Sequence, residues 1–539
     1  MRFFNTAGPV NSQDHYCLPP LQRFDLPEIE MLIEHKKYFV LHAPRQTGKT
    51  SSLLALQKHL NAGSEYVCLY VNVEGAQAAR EDVQAGIYSI LAKIDYRYRN
   101  TFGDTHLQAH WHQIFDQNGP YTALTEVLGF LSRHVNKPMV LLVDELDSLV
   151  GDTLIAVLRQ LREGYDQRPK HFPQSIILCG VRDVRDYRIH SSKTKEIITG
   201  GSAFNIKAES LRLGDFIQPE VESLLGQHTQ ETGQEFTPEA VNCIWHLTQG
   251  QPWLVNALAY ETCFKMKEGR NRSVAIHKEM VDQAKENLIA RRETHLDQLG
   301  DKLQEERVQR VIAPMLQGLD LNVRLDDLQY AQDLGLIRDT NQGPWISNPI
   351  YAEIIPRELT ISQQANLEAR YDQAWYIRND GSLDVHKLLS AFQEFFREHS
   401  EAWLERFQYK EAGPQLLMQA FLQRVVNSGG RVEREFGLGR MRTDLLVLWP
   451  LNQSQPGKPS WTRWQGPVQK AVIELKILYK SLEQTMDEGL KQTWEYMDRC
   501  GSKEGHLLVF DRRSKVSWEE KLFQRREAYQ GHQITVWGM

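Results

Sequence analysis

The stretch Ala43-Pro44-Arg45-Gln46-Thr47-Gly48-Lys49-Thr50 constrains this chain more than any other. Tyr38-Phe39-Val40-Leu41 before it is apolar and β-favouring, and Ser51-Ser52-Leu53-Leu54-Ala55-Leu56 after it opens an amphipathic helix. A strand, a glycine-containing loop ending in Gly-Lys-Thr and a helix form the context that a phosphate-binding loop requires. Backbone N–H groups and a helix N-terminus converge there on a polyanion. Lys49 reaches the β- and γ-phosphates, and the Thr50 hydroxyl can ligate Mg2+. Ala43 stands where the usual pattern has its first glycine, so the loop entry must tolerate a Cβ. All eight positions are nucleotide-binding candidates, and ATP with Mg2+ is the implied ligand pair.

Pro138-Met139-Val140-Leu141-Leu142-Val143 runs unbroken into Asp144-Glu145. Such a run reads as a strand buried on both faces of a parallel sheet, and ligand chemistry in such sheets gathers at the carboxyl ends of strands. Asp144 is therefore expected to hold Mg2+ through water, and Glu145 to polarise the attacking water. Asp147 reads as a cap on the next helix. A further strand, 175 to 180, delivers Arg182, placed either to sense a γ-phosphate or to pair with a neighbouring carboxylate. Residues 1 to about 35 form a Pro-containing lead-in with a helix near 26 to 34; it resembles the lead-in that packs over the nucleotide base in ATPases of this kind, with plain loop packing as the alternative.

From Leu213 the pattern turns helical. One helix starts around 215 to 220, Thr237-Pro238 caps another, and Thr248-Gln249-Gly250-Gln251-Pro252-Trp253 breaks and restarts a third. This block resembles the helical lid of AAA-like ATPases, in the group that includes the archaeal-type ATPases and the STAND signalling NTPases. The resemblance rests on Arg45 to Thr50, Asp144-Glu145, Gly180-Val181-Arg182 and Gly250-Gln251-Pro252, and it covers roughly residues 1 to 290. It implies that Pro252 contacts the nucleotide from the lid and that Arg182 acts as the sensor.

A charged helix is expected over 285 to 310. Apolar residues then recur at helical spacing over 308 to 316 and 325 to 336, and a short hairpin follows to Ser347. Two helices and a hairpin resemble a winged-helix module. DNA binding would need basic residues on the second helix, yet Arg324-Leu325-Asp326-Asp327-Leu328-Gln329 is acidic there, which favours internal packing or regulation. Linking helices, broken at Gly381, occupy 360 to about 410.

A second set of chemical residues lies in the last third. A helix over about 414 to 426 precedes strands near 432 to 436, 445 to 449 and 471 to 476. Asp444 and Glu474 are 30 residues apart, each on a β-like segment. Glu474 and Lys476 fall on one face of a strand because the side-chain period is two. Two carboxylates and a lysine suit metal-assisted attack of water on a phosphodiester; the bland alternative is an exposed Glu474–Lys476 ion pair. The arrangement resembles the PD-(D/E)XK nuclease superfamily. A helix over 483 to 498 carries Gln492 and Tyr496, and the resemblance implies that Gln492 supports the site; a strand at 507 to 511 follows. Glu411 is the candidate for a helix carboxylate that completes some family sites. Between residues 431 and 480 there are nine Lys and Arg against four Asp and Glu, so Arg440, Arg442 and Lys480 suit backbone phosphates.

The 539 residues carry a formal charge of −6, but the part from Glu401 onward is net positive, 21 basic against 17 acidic. Six scattered cysteines without a C-x-x-C pair favour reduced thiols over a disulfide framework or zinc site. No stretch approaches a membrane span. The expected architecture is α/β and multidomain: a P-loop core with a parallel sheet over 1–212, a helical lid over 213–290, a winged-helix-like module over 291–360, a helical linker over 361–410 and a restriction-endonuclease-like α/β domain over 411–539. The expected function is a cytoplasmic ATPase whose nucleotide state governs a Mg2+-dependent nuclease. The implied partners are nucleic acid, DNA ahead of RNA, and a second copy or a protein trigger. A nucleotide-switched scaffold that binds nucleic acid without cutting it is the alternative.

Overall fold

Five strands form one sheet near the N-terminus: β1 (Tyr38–His42), β2 (Val67–Asn72), β3 (Met139–Asp144), β4 (Ser175–Gly180) and β5 (Lys207–Arg212). Their order is β2-β3-β4-β1-β5, and every neighbouring pair is parallel. β1, β3 and β4 are buried at every residue, which is why β1 and β3 read as apolar runs. Alternate residues feed two cores. Val40 and Leu141 pack with Ile87, Leu124 and Leu158 on one face, while Leu41 and Leu142 pack with Leu53 and Leu56 on the other. Because β4 lies between β1 and β3, the chain leaves β1 for one edge of the sheet and returns, opening a crevice at the carboxyl end of β1.

The computed structural model describes the chain except residues 184–187, 191–196, 200–203, 292–293, 318–322, 342, 360–374, 405–416, 420, 423–428, 436–443, 452–463, 465, 479–480, 512 and 514–515, and except the side chains of 188–190, 197–199, 294–298, 316–317, 357–359, 398–404, 434–435 and 444. It divides into two compact units that interleave in sequence. One comprises 1–234, 249–260 and 332–335, the other 235–248, 261–331 and 336–539. The segment 213–290, expected as one lid, thus contributes to both. No disulfide joins any of the six cysteines, and among the described residues no helix is long and apolar enough to cross a membrane.

In the second unit, the single charged helix expected over 285 to 310 is instead three helices, Lys278–Ala290, Thr294–Leu303 and Glu306–Gln317. No glycine or proline marks the break near 304, so periodicity alone ran across it. Helix Leu325–Asp333 and the antiparallel hairpin of β6 (Ile337–Thr340) and β7 (Gly343–Ile346) follow. Asp327 is buried and accepts from Arg307 Nε at 2.9 Å and Arg310 Nε at 2.8 Å. The acidic second helix is therefore matched by arginines of the preceding one.

The C-terminal sheet contains β8 (Arg431–Glu435), β9 (Asp444–Pro450), β10 (Val468–Ile477), β11 (Glu504–Phe510), β12 (Phe523–Tyr529) and β13 (His532–Gly538), in the order β8-β9-β10-β11-β13-β12. β8, β9 and β10 are antiparallel neighbours, and β10, β11 and β13 are parallel ones. Helix Leu482–Cys500 connects β10 to β11, capped by the Ser481 side chain and closed by Gly501 at φ 67°. It packs closely on the sheet: a Cβ at Gly489 would stand 2.6 Å from Leu507 Cδ1. β12 and β13 lie beyond the last strand that the sequence predicts, at 507 to 511.

Candidate functional site

The loop after β1 turns through Gln46 at φ 59° and Gly48 at φ 97°, and Gly48 caps helix Lys49–Ala62. Ala43 takes no positive φ and is fully buried among core residues, so the Cβ that replaces the usual glycine hydrogen fits the core. Lys49 is buried, and its Nζ donates to the carbonyls of Ala43 and Pro44, each at 2.9 Å. Thr47 Oγ1 also donates to Pro44 O, at 2.8 Å. The loop thus leads into a helix N-terminus with one buried ammonium held against its carbonyls, a donor set that fits a polyphosphate.

Asp144 closes β3 and is fully buried. Its Oδ2 accepts from Thr50 Oγ1 at 2.7 Å and Tyr70 Oη at 2.8 Å, and its Oδ1 accepts from Glu145 N at 3.0 Å. A hydroxyl and a buried carboxylate side by side fit a divalent cation with oxygen ligands. Glu145 is half-buried with φ 59°. Burial raises its carboxyl pKa, Asp147 and Asp144 add to the rise, and Lys49 opposes it. Asp147 does not cap the next helix, whose N-cap is Val150; it sits in a short turn and accepts from Val181 N at 2.9 Å. That bond ties the acidic turn to the end of β4, directly before Arg182, which is half-buried.

Pro252 opens helix Pro252–Tyr260 and, with Trp253, lines one cavity together with Gln46, Thr47 and Gly48. The lead-in supplies much of the remaining wall, including Thr6, Tyr16 and Arg23. Asp144, Glu145, Lys49 and Arg182 do not line that cavity. Sequence reasoning missed Arg23. Its guanidinium donates to Thr47 O at 3.1 Å and to Gly214 O, and lies 4.6 Å over the Phe216 ring. Burial lowers the Arg23 pKa, with Glu220 and Asp215 opposing. Tyr70 was missed as well; nothing local marks it, because its partner is 74 residues away.

In the C-terminal sheet Glu474 is fully buried on β10, and Lys476 Nζ lies 2.8 Å from Glu474 Oε1. β9 pairs with β10 through Leu445↔Ile473. Asp444 and Glu474 are the next residues along the two strands beyond that pair. Glu474 also shares the face of Val472, which packs with Leu490 and Met497 of helix Leu482–Cys500. Gln492 on that helix is half-buried, and its buried Oε1 meets no hydrogen-bond partner among the described residues; Tyr496 is in the core. The Asp444 side chain, Arg440, Arg442, Lys480 and Glu411 lie outside the described residues. Among the described residues no three His, Cys, Asp or Glu side chains converge as metal ligands.

Comparison with curated proteins found no match. Among solved structures the chain is similar to the Walker-type ATPase of Pyrococcus abyssi, at 14% identity over 65% of this chain and 99% of that one, with TM-score 0.46. It is similar also to Cdc6p from Pyrobaculum aerophilum (14%, 64% and 96%, TM-score 0.35) and to the RuvB Holliday junction branch migration motor of Thermotoga maritima (11%, 62% and 95%, TM-score 0.31). The AAA-like domain family matches residues 28–355, more than half of the sequence. With a phosphate-binding loop on a parallel sheet inside that span, the chain belongs to the AAA-like domain family and carries its P-loop ATPase core.

Proposed function

We propose that the chain binds and hydrolyses ATP and that its nucleotide state governs a C-terminal nuclease that cuts DNA. In the first site Lys49 leaves the Ala43 and Pro44 carbonyls to meet phosphate oxygens, and Glu145 holds the attacking water. The raised pKa of Glu145 suits a group that must accept a proton. Arg182 and Pro252 contact the nucleotide from the end of β4 and from the helix after Gly250, and Arg23 bridges the lead-in to the loop. Mg2+, held by Thr50 and Asp144 in one site and by Asp444 and Glu474 in the other, would supply neutralisation of phosphate charge. In the second site Lys476 orients the nucleophile or offsets negative charge, and Gln492 offers its side-chain carbonyl oxygen to that surround.

What supports the nuclease reading is the β9–β10 pairing at Leu445↔Ile473, next to Asp444 and Glu474, together with the Lys476–Glu474 ion pair. Control by nucleotide is supported by Gln332–Gly335: a Cβ at Gly335 would stand 2.8 Å from Pro44 of the loop, and Arg212 Nη2 at the end of β5 donates to Gln332 O at 3.2 Å. A role in prokaryotic defence against foreign DNA follows only from the pairing of such modules. The test is cleavage of plasmid with Mg2+: Asp444→Ala and Lys476→Ala should abolish it and spare ATP hydrolysis. Cleavage untouched by Asp444→Ala removes the nuclease assignment and leaves an ATPase.

A further inference from the structure

Asp144 is a fully buried carboxylate in no ion pair among the described residues; neutral donors hold it. Two of them, Thr50 and the backbone of Glu145, belong to the loop-and-strand framework described above. The third, Tyr70 Oη, reaches Asp144 Oδ2 at 2.8 Å from the neighbouring strand, where β2 runs parallel to β3 with Asn72 opposite Asp144. Tyr70 is itself buried, and the Arg97 guanidinium lies 5.0 Å over its ring. The phenol hydroxyl is the donor of this bond, since an ionised carboxylate can only accept.

Two donors approach Oδ2 from different elements, Thr50 from the helix and Tyr70 from β2, while Oδ1 has one backbone donor. Together they fix the carboxylate about its last torsion. A neutral donor does this without cancelling the charge that a cation needs, whereas a lysine in the same place would compete with the metal. Groups that orient metal ligands in this way set metal affinity although they never touch the ion.

We propose that Tyr70, braced by Arg97, is a positioning residue of the ATP site that sets its affinity for Mg2+ by orienting Asp144. The proposal rests on the reading that Asp144 serves the metal. Tyr70→Phe removes one oxygen and keeps the ring and its cation contact, so the fold should be retained. The probe is a fluorescent ATP analogue on the full chain, titrated with Mg2+ and also measured in EDTA, with Asp144→Asn in parallel. Tyr70→Phe should raise the Mg2+ concentration for half-saturation by roughly tenfold, the low end of what such orienting groups contribute. Metal-free affinity should stay within about twofold of the unaltered chain on the same reasoning. Arg97→Met, which leaves the hydroxyl in place, should shift the Mg2+ curve less. An unchanged Mg2+ curve for Tyr70→Phe beside a shifted one for Asp144→Asn overturns the proposal and leaves the metal reading standing. Unchanged curves for both overturn the metal reading too. An equal loss of metal-free affinity would mean a general structural role and likewise defeats the proposal.

Discussion

Removing the Arg431 guanidinium should loosen the anchoring of β8 to helix Lys278–Ala290. Arg431 Nη1 lies 2.6 Å from Asp282 Oδ2, with side-chain exposures of 7% and 10%, and the guanidinium also lies 3.9 Å over the Trp464 ring. Burial works to raise the Asp282 pKa, but Arg431, Lys278 and Lys285 overcome it, and the net shift is downward. The clasp therefore contributes stability above the ordinary carboxylate pKa of about 3.9, and loses it as pH falls through the lower folded value. Taking one partner from a buried pair costs about 3–5 kcal/mol. Lys278 Nζ still stands 3.1 Å from Asp282 after Arg431→Met, so the expected cost is the low end, about 3 kcal/mol. In native-state hydrogen exchange that is roughly 150-fold faster exchange in peptides covering Lys278–Ala290 and Arg431–Glu435. Asp282→Leu combined with Arg431→Met should recover most of it, because no charge is left buried alone. Exchange unchanged by Arg431→Met, or a double variant costing the sum of the singles, would refute the reasoning.

Three further outcomes follow from the same geometry. On the proposed base role, with the Glu145 pKa raised, ATP hydrolysis should fall along an acid limb lying above the ordinary glutamate value of about 4.3; Glu145→Gln should erase that limb and slow turnover by about 100-fold or more, read as phosphate release against pH. Gly335 has φ +76°, and a Cβ there would stand 2.8 Å from Pro44 Cβ and Cγ, so Gly335→Ala should weaken nucleotide binding as it pushes on the loop entry. Gly381→Ala, at φ +80° with nothing within 4 Å, bears only the left-handed backbone cost of about 1–2 kcal/mol and should leave binding unchanged in the same titration. Lys49→Ala should abolish binding of the fluorescent nucleotide while the thermal melt of the chain keeps its shape.

What the sequence made legible was local. The eight-residue loop, the apolar run into Asp144-Glu145 and the Glu474-x-Lys476 spacing each encode their geometry within one strand or turn. What it hid depends on distant partners. Arg23 reaches Gly214, and Tyr70 reaches Asp144, across stretches with no shared pattern. Edge strands were hidden for another reason: β5 and β12 border their sheets and carry Lys207-Ala208-Glu209-Ser210-Leu211-Arg212 and Phe523-Gln524-Arg525-Arg526-Glu527, polar stretches that lack the apolar runs of the central strands. Asp147 has the residue type and position of a helix cap, but the competing N–H of Val181 arrives from β4, which only the folded sheet reveals. The acidic face at Asp326-Asp327 was legible as unfit for phosphate; its reason, the arginine pair of the preceding helix, was not.

The central claim is that one polypeptide carries two separate phosphate-handling sites. Phosphate release from ATP and strand scission of supercoiled plasmid, measured on the same preparations with Mg2+, test it most directly. Glu474→Gln should lose scission and keep phosphate release; Lys49→Ala should lose phosphate release and the effect of ATP on scission. Scission that persists in Glu474→Gln, or that is absent from the unaltered chain with and without ATP, would contradict the account.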